Sequence, residues 1–250
     1  MGTVTKALDL LDLFSADRPC IGLSDCARAA GLNKATCLRL LRALEARGFV
    51  EQAGSSWRIG PAPLRLAALR EATVPQRSAA MPVLQALAAN TGETAHLSQL
   101  SGGRLCTLAH AYPPGQALRV SMEDAAVLPF HATASGIVML AFGPAGLRDA
   151  VLCGPLPSLT ADTPTDPATL SARIEAARRD GLAEAPGTFE AGVHGIAVPV
   201  FDTAGICRAT LALAAPASRA APDLPRLRAA LRDAAGRLHP LWGGPPAAAA

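Results

Sequence analysis

Along residues 34–46, apolar and charged positions separate onto two sides of a helix. Cys37, Leu40, Leu41 and Leu44 recur at i, i+3, i+4 and i+7, the spacing of a stripe meant for burial. Ala35, Arg39, Arg42 and Ala46 fall opposite, with Lys34 and Thr36 at the N-terminal flanks. A shorter helix precedes it, for which Ser24 is the expected N-cap and Gly31 the stop; Asn33 is placed to cap the longer helix. After Gly48, the runs Phe49-Val50-Glu51-Gln52 and Ser56-Trp57-Arg58-Ile59 flank Ala53-Gly54-Ser55 and read as a hairpin carrying Arg58. Residues 3–16 add a stripe of Val4, Ala7, Leu8, Leu11 and Phe14, broken by Asp17-Arg18-Pro19. Helix, turn, second helix and basic hairpin together predict a winged helix-turn-helix. Small residues between long cations let a helix lie in the major groove while its side chains reach bases or phosphates.

Residues 62–73 have helix-forming composition and read as a connecting helix, with Pro75 at the boundary. Beyond it, Leu84, Leu87 and Ala88 follow Met81-Pro82 on an amphipathic helix that Thr91-Gly92 closes. Strand-like runs at 94–100, 104–111 and 118–122 are separated by Ser101-Gly102-Gly103 and Pro113-Pro114-Gly115. An apolar helix is expected from about Ser135, Pro-rich loops through Pro167, and a helix over 168–179 that stops at Gly181. Strands at 195–201 and 206–214 are joined by Asp202-Thr203-Ala204-Gly205, and a last helix covers about 225–238. This mixed order predicts an α+β fold with helices packed on an antiparallel sheet. The expected domains are residues 1–60, a linker helix at 61–75, a second domain at 76–240, and a low-complexity, disordered tail at 241–250.

The 250 residues are comfortable for two domains, and half of them are hydrophobic. Mean hydropathy is +0.26, much of it from alanine. No run offers the ~18 uncharged apolar residues of a membrane span. The first residues carry acids inside their apolar run, unlike a signal peptide, so a cytoplasmic location is expected. Residues 1–75 hold ten Lys/Arg against seven Asp/Glu, whereas 76–250 hold thirteen of each. The whole formal excess of +3 therefore lies at the end that would meet phosphates. So small an excess argues for an oligomer that sums several contacts. The six cysteines form no C-x-x-C pair and no Cys/His ligand spacing, which favours packed, reduced thiols over a Cys26–Cys37 redox switch. No metal or cofactor is called for.

The chain resembles the IclR family of bacterial transcriptional regulators over nearly its full length. The likeness rests on V-x-K-A-L-D-L-L at Val4, A-x-x-x-G-L-x-x-x-T at Ala27, R-L-L-x-x-L-E-x-R-G at Arg39 and W-R-I-G at Trp57. It continues through L-P-x-H-A-T-A-S-G from Leu128, T-P-T from Thr163, G-V-x-G-I-A-V-P-V-F-D from Gly192, and the closing strand before Pro216. The resemblance implies a DNA-binding homodimer or homotetramer whose GAF-like second domain binds a small metabolite. It also implies DNA contact at Thr36 and Arg39; Lys34, Ala35, Arg42 and Arg58 join them from the helical wheel and the wing. For the effector site it points to Met122, Ala134, Ser135, His194, Gly195, Ala212 and Ala214.

Three departures from the family pattern stand out. Ala212-Leu213-Ala214 replaces a common S-x-S, Ala185-Pro186-Gly187-Thr188 replaces a common acidic cluster, and Asn33 replaces a common proline. Two absent hydroxyls remove hydrogen bonds worth about 0.5–1.5 kcal/mol each, so the expected effector is an aromatic or otherwise apolar-bodied acid. Two other classes compete. An enzyme with an appended nucleic-acid-binding domain would need a nucleophile, but Ser135 is not in a G-x-S-x-G elbow. His96, His110, His131 and His194 are scattered, and a metal site would require His96, His131 and His194 to converge. An architectural DNA binder is disfavoured by the neutral second half.

Overall fold

The computed structural model describes residues 2–243, and by contact density it divides between Pro75 and Gln76 into two units. In the first, α1 (Thr3–Leu11), β1 (Ile21–Gly22), α2 (Leu23–Ala29) and α3 (Lys34–Glu45) precede β2 (Val50–Ala53), β3 (Ser56–Ile59) and α4 (Ala62–Thr73). The strands form one antiparallel sheet in the order β1-β3-β2. Its core is Leu10, Ile21, Cys26, Ala27, Cys37, Leu40, Leu41, Val50 and Trp57, so the expected stripe of α3 does face inward.

Local chemistry explains the turn between α2 and α3. Gly31 adopts φ +63°, the left-handed conformation that ends a helix most easily at glycine. The Leu32 N–H then reaches back to the Ala27 carbonyl at 2.9 Å and the Gly31 N–H to Arg28 at 3.2 Å, a Schellman pair. Asn33 caps α3 by accepting the Thr36 N–H at 2.8 Å. Ser24 does not cap α2. Gly22 holds that position, because it ends β1 opposite Ser56 and its extended backbone delivers the chain into the helix two residues earlier.

The first helix is shorter than its apolar pattern suggests, and the buried side differs. It stops at Leu11, Val4 and Leu8 are 73% and 55% exposed, and Leu10 is fully buried. Two apolar stripes overlap on this helix, and packing selects the one running through Ala7, Leu10, Leu11 and Phe14.

The second unit is a six-stranded antiparallel sheet, ordered β6-β5-β4-β9-β8-β7, between two helical layers. Its elements are α5 (Gln76–Thr91), β4 (Thr94–Ser101), β5 (Arg104–Ala111), β6 (Val127–Leu128), α6 (Ala134–Phe142), α7 (Leu147–Leu152), α8 (Pro167–Asp180), β7 (Ala183–Pro186), β8 (Val193–Phe201), β9 (Cys207–Pro216) and α9 (Ala217–Leu238). Strand alternation sorts the side chains. Ile196, Val198, Leu211 and Leu213 face α5 and α9. Ala197 and Ala212 face α6 and α8.

Residues 118–122 form no strand. Their backbone is held by side chains instead: Thr94 Oγ1 donates to Val120 O at 2.8 Å, and the Tyr112 hydroxyl bonds both N–H and C=O of Met122. The two-residue β6 takes the sheet edge beside β5. Helices α5 and α9 both start earlier than expected, with Pro82 inside the one and Pro222 and Pro225 inside the other. Helix α7 lies in a stretch read as Pro-rich loops, and β7 lies between Gly181 and Gly195, where no element was expected. The expected tail at 241–250 begins too early: Leu241 and Trp242 sit in a 3-10 turn, His239–Trp242, packed on the core, and 244–250 lie outside the described residues. Among the described residues, no helix is long and apolar enough to cross a membrane.

Candidate nucleic-acid surface and effector cleft

On the outer side of α3, Lys34, Ala35, Arg39 and Arg42 are exposed and Thr36 is half-buried. The cations differ in what they touch. Arg42 is engaged at home, 2.7 Å from Glu45 and with its guanidinium carbon 5.3 Å from the Trp57 ring centre. Arg58, exposed on the wing, pairs with Glu51 at 2.6 Å. Among the described residues, no ion pair involves Lys34 or Arg39. Beneath them lie the thiols of Cys26 and Cys37, both buried. Burial pushes the Cys37 thiol up to about 11 and raises that of Cys26, so both stay protonated and unreactive at neutral pH.

In the second unit a cleft opens between the sheet and the start of α6. The cavity proper measures about 70 Å³, and the concave space with its open mouth about 540 Å³. Thr133 builds one wall: its Oγ1 accepts the Gly136 N–H at 3.0 Å, capping α6, and donates to Pro129 O at 2.8 Å. Gly136 must be glycine, because a Cβ there would stand 2.3 Å from Phe130 O. Thr188 ties the facing loop in, donating to Ala132 O at 2.6 Å and accepting at its carbonyl from Thr163 Oγ1 at 2.7 Å. The T-P-T threonine therefore acts as a staple behind the cleft.

Six residues expected at the effector site line this cleft: Met122, Ala134, Ser135, Gly195, Ala212 and Ala214. His194 does not. It neighbours Gly195 on β8, so its side chain leaves the opposite sheet face, where Nε2 lies 3.4 Å from Glu184 Oε2. Val120, Leu128, Phe189 and His96 complete much of the wall; among the described lining residues Glu190 is the one carboxylate and there is no Lys or Arg. His96 was visible only as one scattered histidine. Its placement follows from register, since it pairs with Ala212 across β9 and so shares that residue's face.

His96 Nε2 lies 3.4 Å from Ser135 Oγ, a pairing that sequence spacing did not suggest. It is not a nucleophile–base dyad of the usual kind. Burial, with His110 adding to it, lowers the imidazole to about 4, and its Nδ1 has no carboxylate to orient it. His131 Nε2 instead meets Pro157 O at 2.9 Å. The three histidines do not converge, and the described residues contain no cluster of metal-binding side chains.

Family models match both units: the IclR helix-turn-helix domain over residues 3–54 and the bacterial transcriptional regulator IclR C-terminal domain over 68–239. The glycerol operon regulatory protein of Streptomyces griseus is 32% identical over 239 residues, covering 93% of each chain. A crystal structure from Silicibacter sp. TM1040, assigned to the IclR transcriptional regulators, is 51% identical with a TM-score of 0.91, covering 98% of this chain and 97% of that one. An IclR homologue from Microbacterium hydrocarbonoxydans, crystallised with 4-hydroxybenzoate, is 28% identical with a TM-score of 0.79, covering 96% and 99%. The first two of these are regulators by name. With both domain models matched in order, the chain belongs to the IclR family of bacterial transcriptional regulators.

Proposed function

We propose that residues 1–60 of this regulator bind operator DNA and that residues 76–240 bind a small, apolar-bodied acid that changes DNA affinity through the linker at 61–75. On the DNA side, Lys34, Ala35, Thr36 and Arg39 lie against the major groove, and Arg42 and Arg58 reach the backbone only by giving up their carboxylates. Two copies related by a two-fold axis would set their recognition helices about 34 Å apart, so the operator is roughly palindromic. The exposed Val4 and Leu8 on α1 and Leu64 and Leu69 on α4 support a homodimer or a larger homo-oligomer. As a DNA-bound regulator the protein would work in the cytoplasm.

One observation carries the effector reading: the cleft is walled by the methyl groups of Ala134, Ala212 and Ala214, with no Lys or Arg among the described lining residues. The 4-hydroxybenzoate in the Microbacterium homologue supports an aromatic acid. The test is a thermal-shift screen of aromatic and short-chain acids, followed by operator mobility shifts with the acids that stabilise. Stabilisation by aromatic acids, with altered DNA affinity, is expected. Tight binding of glyoxylate-sized acids with indifference to aromatic ones would overturn the reading.

A further inference from the structure

His96 is unlike every other wall of the cleft. It is a central residue of β4, 7% exposed, flanked across the sheet by Ala212 on one side and His110 on the other. Nε2 has Ser135 Oγ at 3.4 Å, and Nδ1 is buried with no partner. Among the described cleft-lining residues, no other side chain holds such an orphaned atom. An unmet buried polar atom is costly, and a native structure retains one where something else completes it.

We infer that His96 reads the polar end of the effector, hydrogen-bonding an uncharged hydroxyl or carbonyl while the ligand's apolar body lies against Ala134, Ala212 and Ala214. This rests on the effector-cleft reading above. The group carries no negative charge because nothing there balances one: burial keeps the imidazole neutral, and the described lining residues include no Lys or Arg. The Ser135 hydroxyl donates or accepts, so the ring can take either tautomer and leave Nδ1 as acceptor or donor. A hydroxyl, which does both, suits that adaptability best. The acid group of the effector then points toward the open mouth and water.

Calorimetric titration of the full chain with 4-hydroxybenzoate and 4-methylbenzoate tests this, since the two differ at the ring only by hydroxyl against methyl. The wild-type protein is expected to prefer the hydroxy acid by about tenfold or more. His96→Leu should erase that preference, by weakening 4-hydroxybenzoate binding about tenfold or more. A second readout needs no variant: the ¹⁵N resonance of His96 Nδ1 should move with the hydroxy acid and not with the methyl one. Equal affinities in the wild type, an unchanged ratio in the variant, or an unmoved Nδ1 resonance would each overturn the His96 assignment while leaving the cleft standing. If neither acid bound, the effector-cleft reading and the His96 assignment would both fall.

Discussion

Arg219, at the start of α9, grips Glu93 across 126 residues of chain, with Nε 2.8 Å from Oε1 and Nη2 2.7 Å from Oε2. The carboxylate is 4% exposed. The same guanidinium donates through Nη1 to Leu118 O at 3.1 Å, so it also holds the strandless segment that leads into the cleft wall. Arg219→Ala would leave a buried carboxylate unpaired. Because the arginine is itself about a third exposed, the expected loss is on the order of 2 kcal/mol rather than the larger figures for fully buried pairs. Thermal unfolding should show Tm lowered by about 4–8 °C. Arg219→Lys should recover only part, because an ammonium cannot make two parallel bonds.

The cations of the first unit should not count equally toward DNA. Arg39→Ala is expected to weaken operator binding and reduce the slope of log affinity against log salt by about 0.9. Arg58→Ala should do less, since Glu51 already holds that guanidinium at 2.6 Å. Glu51→Ala should tighten binding by freeing it. Mobility-shift titrations at several salt concentrations separate the three; an equal loss for Arg39 and Arg58 would contradict the ranking.

Gly136 has no room for a side chain, with the Phe130 carbonyl 2.3 Å from where a Cβ would lie. Gly136→Ala must move backbone against backbone, so a destabilisation of about 3 kcal/mol or more is expected. Gly195→Ala is the control: its Cβ would sit 3.5 Å from the Ala134 Cβ, an ordinary contact. Chemical denaturation should find the first variant severely destabilised and the second close to wild type.

His96 also gives the second unit an acid sensitivity. Its folded pKa, about 4, is below the unfolded value of 6.5, chiefly because burial disfavours the imidazolium. The folded state therefore binds fewer protons in that window, and stability present above pH 6.5 is lost as pH falls toward 4. The loss is on the order of 3 kcal/mol. Urea midpoints measured from pH 7 to pH 4 should fall more steeply for the wild type than for His96→Leu. Parallel curves would count against it.

What the sequence displays, and what it conceals, follows from the range of the interactions. The turn between α2 and α3 is local: Gly31 and Asn33 act on neighbours within five residues, and both are legible from the chain. The stripe of α3 is legible because one side of it is continuous. Where two stripes overlap, as on α1, only docking decides, and Leu10 rather than Leu8 goes inside. Strand parity is unforgiving in the same way. His194 and Gly195 are adjacent, yet only the glycine belongs to the cleft. His96 became a site residue through cross-strand register with Ala212, which no local pattern encodes. Residues 118–122 look like a strand, but the partners of their backbone are the side chains of Thr94, Tyr112 and Arg219.

Ala212 and Ala214 lie two apart on β9, side by side beneath the same opening. Replacing one hydrogen of either methyl with a hydroxyl would hardly disturb the strand, since serine is only one heavy atom larger. It would nonetheless turn an oily floor into a wettable one. A lineage could thus trade one inducer for another without remodelling the frame, a single codon at a time.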